Sequence, residues 1–143
     1  MSGYDQLKLE NQLCFPLYAC AKELVRQYTP LLDELGLTYT QYIVMMVLWD
    51  QGQLSVKELG QYLYLDSGTL TPLLKKLETS GWVKRTRDAY DERVVQVAVT
   101  EIGLKLREKA QSIPSEISGC LNLEPDETKT LYHLLYKMLN QFK

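Results

Sequence analysis

One histidine, three cysteines and no Cys-x-x-Cys pair are all that this 143-residue chain offers to a soft metal. Tetrahedral nitrogen and sulfur ligation is not easily assembled from such a set, and His133 alone reads as a helix-surface residue. An odd cysteine count (Cys14, Cys20 and Cys120) argues against a disulfide scaffold at this chain length. No apolar run reaches the roughly 18 residues that a bilayer span needs. The opening MSGYDQLKLE has neither the basic start nor the apolar stretch of a signal peptide, so a cytoplasmic protein without membrane contact is expected. Internal repeats and low-complexity segments are lacking, and no metal or cofactor is expected. What remains is 45% hydrophobic and 24% charged, which suits one ordinary globular domain.

The formal net charge of −2 is not that of a nucleic-acid binder, yet the charge is unevenly placed. Between Ser67 and Arg87 stand Lys75, Lys76, Lys84, Arg85 and Arg87, with Glu78 the single acid, a local charge of +4.

Hydrophobic spacing divides the chain into elements. Leu13 to Asp33 carries apolar residues at helical intervals; Pro16 fits only in its first turn, and Pro30 is expected to kink or end it. Thr38 to Asp50 is apolar all round and reads as a central core helix closed by Gly52. Ser55-Val-Lys-Glu58 is a capping box opening a helix to Leu63. After an Asp66-Ser67-Gly68 turn, Leu70, Leu73, Leu74 and Leu77 form a single helical stripe ended by Gly81. The period then changes. Trp82 to Arg87 and Arg93 to Thr100 are strand-like, and Asp88-Ala-Tyr-Asp-Glu92 turns between them. A helix from Glu101 to Ser112, capped by Thr100, is expected to be interrupted by Pro114 and Gly119, and a last helix runs from Asp126 to Phe142.

Helix, short turn, helix and basic hairpin, in that order, predict a winged helix-turn-helix: mostly α with a small β-wing. The second helix of such a pair enters the major groove of DNA. With the leucine stripe inward, its outer face holds Gly68, Pro72, Lys75, Lys76 and Thr79, flanked by Thr69 and Thr71. Ser67, Thr69 and Thr71 are small and hydroxylated, suited to phosphates or base edges, and the helix N-terminus favours a phosphate. Lys75 and Lys76 can reach the backbone further along, and Arg85, Arg87 and Arg93 of the hairpin can supply a minor-groove arginine. A leucine stripe and a solvated lysine face are ordinary features taken singly; their order and local charge carry the DNA reading.

Cys14 precedes Pro16 at what reads as a helix N-terminus. Unpaired amides and the helix dipole there would stabilise a thiolate, and its apolar neighbours Leu13, Phe15 and Leu17 would favour an organic peroxide; from these residues alone an inert, buried cysteine is the commoner case.

The stretch KELGQYLYLDSGTLTPLLKKLETSGWVKRTRDAYDERVVQVAVTEIG resembles the winged-helix core of the MarR family of bacterial repressors, with Asp91-Glu92-Arg93 and Val99-Thr100 matching its wing signature. LENQLCFPLYACAKELVRQYTPLLDELGLTYTQY and YLDSGTLTPLLKKLE are similar to its OhrR branch of organic-hydroperoxide-responsive repressors, over about residues 7 to 110. The resemblance implies one domain. Its N- and C-terminal helices, 1–36 and 101–143, would intertwine in a homodimer; 37–100 would bind operator DNA, with Asp91 shaping the wing. It implies that Cys14 is the redox-sensing thiol, that Tyr28 and Tyr39 of the partner subunit donate hydrogen bonds to its thiolate (Tyr18 being a weaker candidate), and that Cys120 of the partner forms a disulfide with it, of the two-cysteine type. Cys20, six residues on, is turned away and reads as structural. An organic hydroperoxide would then release the repressor from DNA. A repressor answering to a bound small aromatic ligand is the competing expectation; a thiol enzyme is disfavoured, because no histidine or arginine accompanies Cys14 beyond Lys22 and Arg26.

Overall fold

The computed structural model describes residues 3–142. Two short 3-10 turns, Asp5–Leu7 and Leu9–Asn11, lead into α1 (Cys14–Asp33). α1 continues through Pro30, where a kink or end was expected. Proline at that position removes only the bond to the Arg26 carbonyl, and Arg26 is exposed, so water replaces it. Leu32 is the one buried residue of α1 and anchors its last turn.

Side-chain caps fix where the following helices begin. Thr38 and Gln41 form a capping box ahead of α2 (Tyr39–Gln51), and Ser55 and Glu58 form another ahead of α3 (Val56–Leu63). Asp66 caps α4 (Ser67–Thr79) through the Thr69 amide, and Thr100 caps α5 (Glu101–Ala110) through the Gly103 amide. Each such cap stabilises its helix by about 1 kcal/mol. Gly81, at φ +85°, turns the chain out of α4 in the left-handed conformation that glycine adopts without strain.

Strands β2 (Val83–Arg87) and β3 (Val95–Val99) pair antiparallel, Val83 opposite Val99 and Arg87 opposite Val95. A third strand, β1 (Gln53–Ser55), joins the other edge of β3, giving the order β1-β3-β2. Sequence patterning missed it, since three residues are too short to show alternation. The core lies between α2, α3, α4 and this sheet: Val44, Met45, Leu48, Leu59, Leu70, Leu74, Leu77, Val83 and Val97 are fully buried. Trp49 ties α5 to α2 by donating from Nε1 to the Gly103 carbonyl at 2.8 Å.

The chain divides into two compact units, Met1–Ile113 and Pro114–Lys143. The second contains most of α6 (Ile113–Leu121), then α7 (Pro125–Leu139) and a closing 3-10 turn, Asn140–Phe142. Pro114 sits in the first turn of α6 and Gly119 within it; neither breaks that helix, contrary to expectation, because the break falls at 111–112. No helix of the described residues is long and apolar enough to cross a membrane.

Gly60 is where α3 passes closest to the turn that follows it: an added Cβ would meet the Leu65 carbonyl oxygen at 2.5 Å. At Gly68 the nearest atom is an Asp66 carboxylate oxygen at 3.5 Å. Gly60→Ala is therefore expected to destabilise the protein by about 1–3 kcal/mol, and Gly68→Ala to be neutral or stabilising by up to about 1 kcal/mol. Urea-unfolding midpoints of the two variants check this contrast.

Candidate functional site

Two clusters of chemically capable side chains stand on this frame. The first is the outer face of α4 with the β2–β3 hairpin. All four leucines of the stripe are buried, so Ser67, Gly68, Thr69, Thr71, Pro72, Lys75, Lys76 and Thr79 are exposed. Thr71 donates its hydroxyl back to the Ser67 carbonyl at 2.7 Å, leaving its oxygen lone pairs outward. The Thr69 amide and hydroxyl hold the Asp66 carboxyl below the usual aspartate range. Lys75, Lys76 and Lys84 make no ion pair among the described residues, and their ammonium groups are open to a phosphate.

The hairpin arginines are not equivalent. Arg85 is half-buried and turned onto α4: its Nη2 lies 3.1 Å from Glu78 Oε1, and its backbone amide donates to Glu78 Oε2 at 3.1 Å. Those two bonds, with the guanidinium charge, keep Glu78 below the usual glutamate range. Arg85 thus positions the wing on the helix. Arg87 donates from Nη1 to the Glu92 carbonyl at 2.8 Å. Arg93 makes a two-pronged pair with Asp91, Nε to Oδ1 and Nη2 to Oδ2, both 3.1 Å, and its amide bonds the same carboxylate at 3.0 Å. Asp91 accordingly shapes the wing.

Glu78 and Asp88 were missed in sequence. Asp88 accepts from the Tyr90 and Asp91 amides at 3.0 and 3.1 Å and from Gln96 Nε2 at 3.3 Å, closing the hairpin tip. The Asp-x-x-Asp spacing of a side-chain-capped turn could have marked Asp88. For Glu78 no local signal exists, since its partner lies seven residues on and across a turn.

The second cluster is α1. Cys14 is its first residue, exposed, with no side-chain cap ahead of it, so its own amide and that of Phe15 have no side-chain acceptor, and Pro16 has no amide hydrogen to satisfy. Leu13, Phe15, Leu17, Tyr18 and Val25 are also exposed on this helix. Cys20 is exposed too, in a helix expected to pack it. Tyr28 and Tyr39 come together at 4.8 Å between ring centroids, and Tyr42, absent from the sequence expectations, completes the group at 5.7 and 6.2 Å. Burial, then the neighbouring phenol of Tyr39, raises the Tyr28 pKa above 10.0, and burial raises that of Tyr39. Both phenols therefore stay protonated donors at neutral pH. Their hydroxyls find no hydrogen-bond partner among the described residues. Cys14 and Tyr28 lie fourteen residues apart on one helix, about 21 Å, so they cannot meet within a chain. Cys120, in the second unit, is exposed near the end of α6, and its thiol donates to the Glu116 carbonyl at 3.6 Å.

A model of the family described as transcriptional regulator SarA/Rot matches residues 26–111. The organic hydroperoxide resistance transcriptional regulator of Bacillus subtilis (strain 168) is 48% identical over 136 residues, covering 95% of this chain and 92% of its own. The chain belongs to the MarR/SarA family of transcriptional regulators, in its OhrR-like branch. Among solved structures, AbfR of Staphylococcus epidermidis is similar in three states. Reduced and bound to DNA it gives a TM-score of 0.80 at 37% identity, covering 97% of this chain and 96% of its own. Overoxidised and bound to DNA it gives 0.78 at 37% identity, covering 99% and 100%. With a disulfide formed it gives 0.66 at 34% identity, covering 94% and 95%.

For this regulator the Glu78–Arg85 tie generates an acid-side expectation. A carboxyl whose folded pKa is depressed contributes stability fully above its unfolded value, near the usual 4.5, and loses it as pH falls through the lower folded value. Glu78→Gln should therefore lower the thermal midpoint at neutral pH, with the gap to wild type closing below pH 4.5. Melting curves across pH 3 to 7 measure it; a gap that persists undiminished at the acid end contradicts the tie.

Proposed function

We propose that the protein is a redox-sensing DNA-binding transcriptional repressor of the cytoplasm, acting as a homodimer on double-stranded operator DNA. One observation carries the reading. The same chain presents an open, basic recognition helix and, at the uncapped N-terminus of an otherwise exposed apolar helix, an exposed thiol. Two α1 helices packed antiparallel about a twofold at Ala21 would place residue 14 opposite residue 28. Alanine at that crossing permits close approach, and Leu17 and Val25, each 40% exposed in the single chain, would be covered. Cys14 of one subunit would then receive hydrogen bonds from Tyr28 and Tyr39 of the other, whose raised pKa values keep their protons available.

On DNA, α4 of each subunit reads one major groove, with Ser67, Thr69 and Thr71 at base edges and Lys75 and Lys76 on phosphates. Arg87 and Arg93 brace the wing at the neighbouring minor groove, and Arg85 serves through Glu78 by holding the wing in place.

The switch is a two-step oxidation. The Cys14 thiolate attacks the outer oxygen of an organic hydroperoxide; the O–O bond breaks, giving a sulfenic acid and an alkoxide that takes a proton and leaves as alcohol. The Cys120 thiol of the partner then attacks the sulfenic sulfur, forming a disulfide and releasing water. A disulfide needs Cα atoms about 5.5 Å apart, so closing it moves helices. Recognition helices serve grooves spaced about 34 Å, and a shift of a few ångströms loses them. That AbfR is found on DNA even when overoxidised, and separately with a disulfide, supports the crosslink rather than added charge as the releasing event.

Titrating DNA from upstream of its own gene with one equivalent of cumene hydroperoxide tests this. Wild type should release DNA and run as a crosslinked dimer on a non-reducing gel. Cys14→Ser should hold DNA throughout. Cys120→Ser should oxidise without crosslinking; a crosslink that persists in it rules out the pairing. Equal release by wild type and Cys14→Ser would instead favour a bound small aromatic ligand as inducer.

A further inference from the structure

The group formed by Tyr28, Tyr39 and Tyr42 holds one hydroxyl more than a thiolate with two donors requires. Tyr39 and Tyr42 stand three residues apart on one face of α2, and Tyr28 meets both from α1. Tyr28 and Tyr39 are half-buried; Tyr42 is the most deeply set of the three, at 3% exposure. Its ring is braced as well. Trp49 meets it edge-on at 6.4 Å between centroids, and Trp49 Nε1 is itself bonded to the Gly103 carbonyl at 2.8 Å. Phenylalanine would fill such a place equally and would spare the fold a polar atom that costs free energy to desolvate. Yet the Tyr42 oxygen has no hydrogen-bond partner among the described residues. Every fully buried polar side-chain atom among them is partnered, so this oxygen still meets solvent. It also feels its neighbours. Burial, then the phenols of Tyr28 and Tyr39, raise the Tyr42 pKa above 10.0, and the Tyr28 ring is the nearer, at 5.7 Å against 6.2 Å.

We propose that Tyr42 is a positioning residue for the sensing thiol: its hydroxyl donates to the Tyr28 oxygen and so keeps the Tyr28 proton directed at Cys14 of the partner subunit. This rests on the intersubunit reading above. A phenol has one proton to give and an oxygen that accepts. Once Tyr28 gives its proton to the thiolate, its oxygen is left as an acceptor facing its own chain. The unbonded Tyr42 hydroxyl is the donor set beside it, on a ring that Trp49 holds in place. Tyr28, half-buried, has room to turn as the thiolate seats, and that turn closes the bond. Hydrogen bonds in such a chain polarise one another, by about 10–30% per bond. Tyr39 remains the second donor to the sulfur and is independent of the chain. Tyr42 does not touch the thiol; it acts through Tyr28 alone.

The test reads Cys14 in the full-length reduced protein with all three cysteines in place. Alkylation by iodoacetamide is followed across pH, with mass spectrometry of the peptide that carries Cys14. Tyr42→Phe deletes one oxygen and keeps the ring. It should slow the acid arm of the profile about two- to threefold and leave unchanged the alkaline plateau, where the thiol is ionised in both proteins. Oxidation by cumene hydroperoxide at neutral pH should slow by a similar factor, and the affinity of the reduced protein for DNA from upstream of its own gene should match wild type. Tyr28→Phe, which removes a direct donor, should slow the acid arm about tenfold. Adding Tyr42→Phe to Tyr28→Phe should change nothing further, whereas adding it to Tyr39→Phe should slow the arm again. If Tyr28→Phe shifts the profile and Tyr42→Phe coincides with wild type, the assignment to Tyr42 fails and the intersubunit reading stands. An equal slowing by Tyr42→Phe in the Tyr28→Phe background overturns the assignment too, because Tyr42 then acts by another route. Wild-type profiles in both Tyr28→Phe and Tyr39→Phe overturn the intersubunit reading, and this inference with it.

Discussion

Which residues face outward on the candidate nucleic-acid surface depends on the rotation of α4 about its own axis, and four leucines set that rotation. Leu70, Leu73, Leu74 and Leu77 are buried at 9% exposure or less. Burying each contributes about 1.5–3 kcal/mol, and each residue step turns a helix by about 100°. A slip of one position would take leucines into water and draw Lys75 or Lys76 into the core, so no competing rotation is close in energy. The rest is referred to this helix. Asp66 fixes its start, Gly81 fixes the exit of the chain, and Glu78, on the flank of the stripe, takes hold of Arg85 and hence of β2. The wing is placed by that carboxylate together with Val83 and Val97, which the same core buries.

Local physics explains what could be read in advance. The two capping boxes, the Asp66 and Thr100 caps and the leucine stripe are signals within four residues of each other, and all appear where their spacing puts them. β1 escaped because its three residues acquire strand geometry only by pairing with β3, a partner more than forty positions away. Pro30 misled because proline acts through a lost hydrogen bond, which water replaces at an exposed position, and Gly119 because a single glycine costs a helix only about 1 kcal/mol of backbone entropy. The basic residues of the hairpin were visible, yet the distinction between Arg85, bonded to α4, and the free lysines of α4 itself was not. Ion pairing is a tertiary property. The Tyr28 and Tyr39 rings were singled out through family resemblance alone; their tilted contact, and the addition of Tyr42, needed coordinates.

The two clusters differ in how finished they are within one chain. The α4 face is complete: its scaffold is buried, capped and tied. α1 is not, since a 20-residue helix keeps a single fully buried side chain and leaves Phe15, Leu17, Tyr18 and Val25 exposed. An apolar helix in that condition gains most of its stability on association. In the dimer proposed above, the sensing thiol would sit in the interface that holds the subunits together, and its oxidation would act on the part of the molecule least secured by the fold of the single chain. The DNA-reading parts, secured within each chain, would move as bodies.

The unbroken passage of α1 through Pro30 has a mechanical consequence. From Cys14 to Leu32 the helix is a rod of about 27 Å, stiffened along most of its length by regular backbone bonding. Proline deletes one rung of that ladder, the bond to the Arg26 carbonyl, two residues short of the seated leucine. The rod is thus stiff over its outer turns and compliant near its root. A sideways pull at the thiol end is not dissipated along the shaft; it arrives as torque at the pivot beside Leu32, with the whole span as its arm.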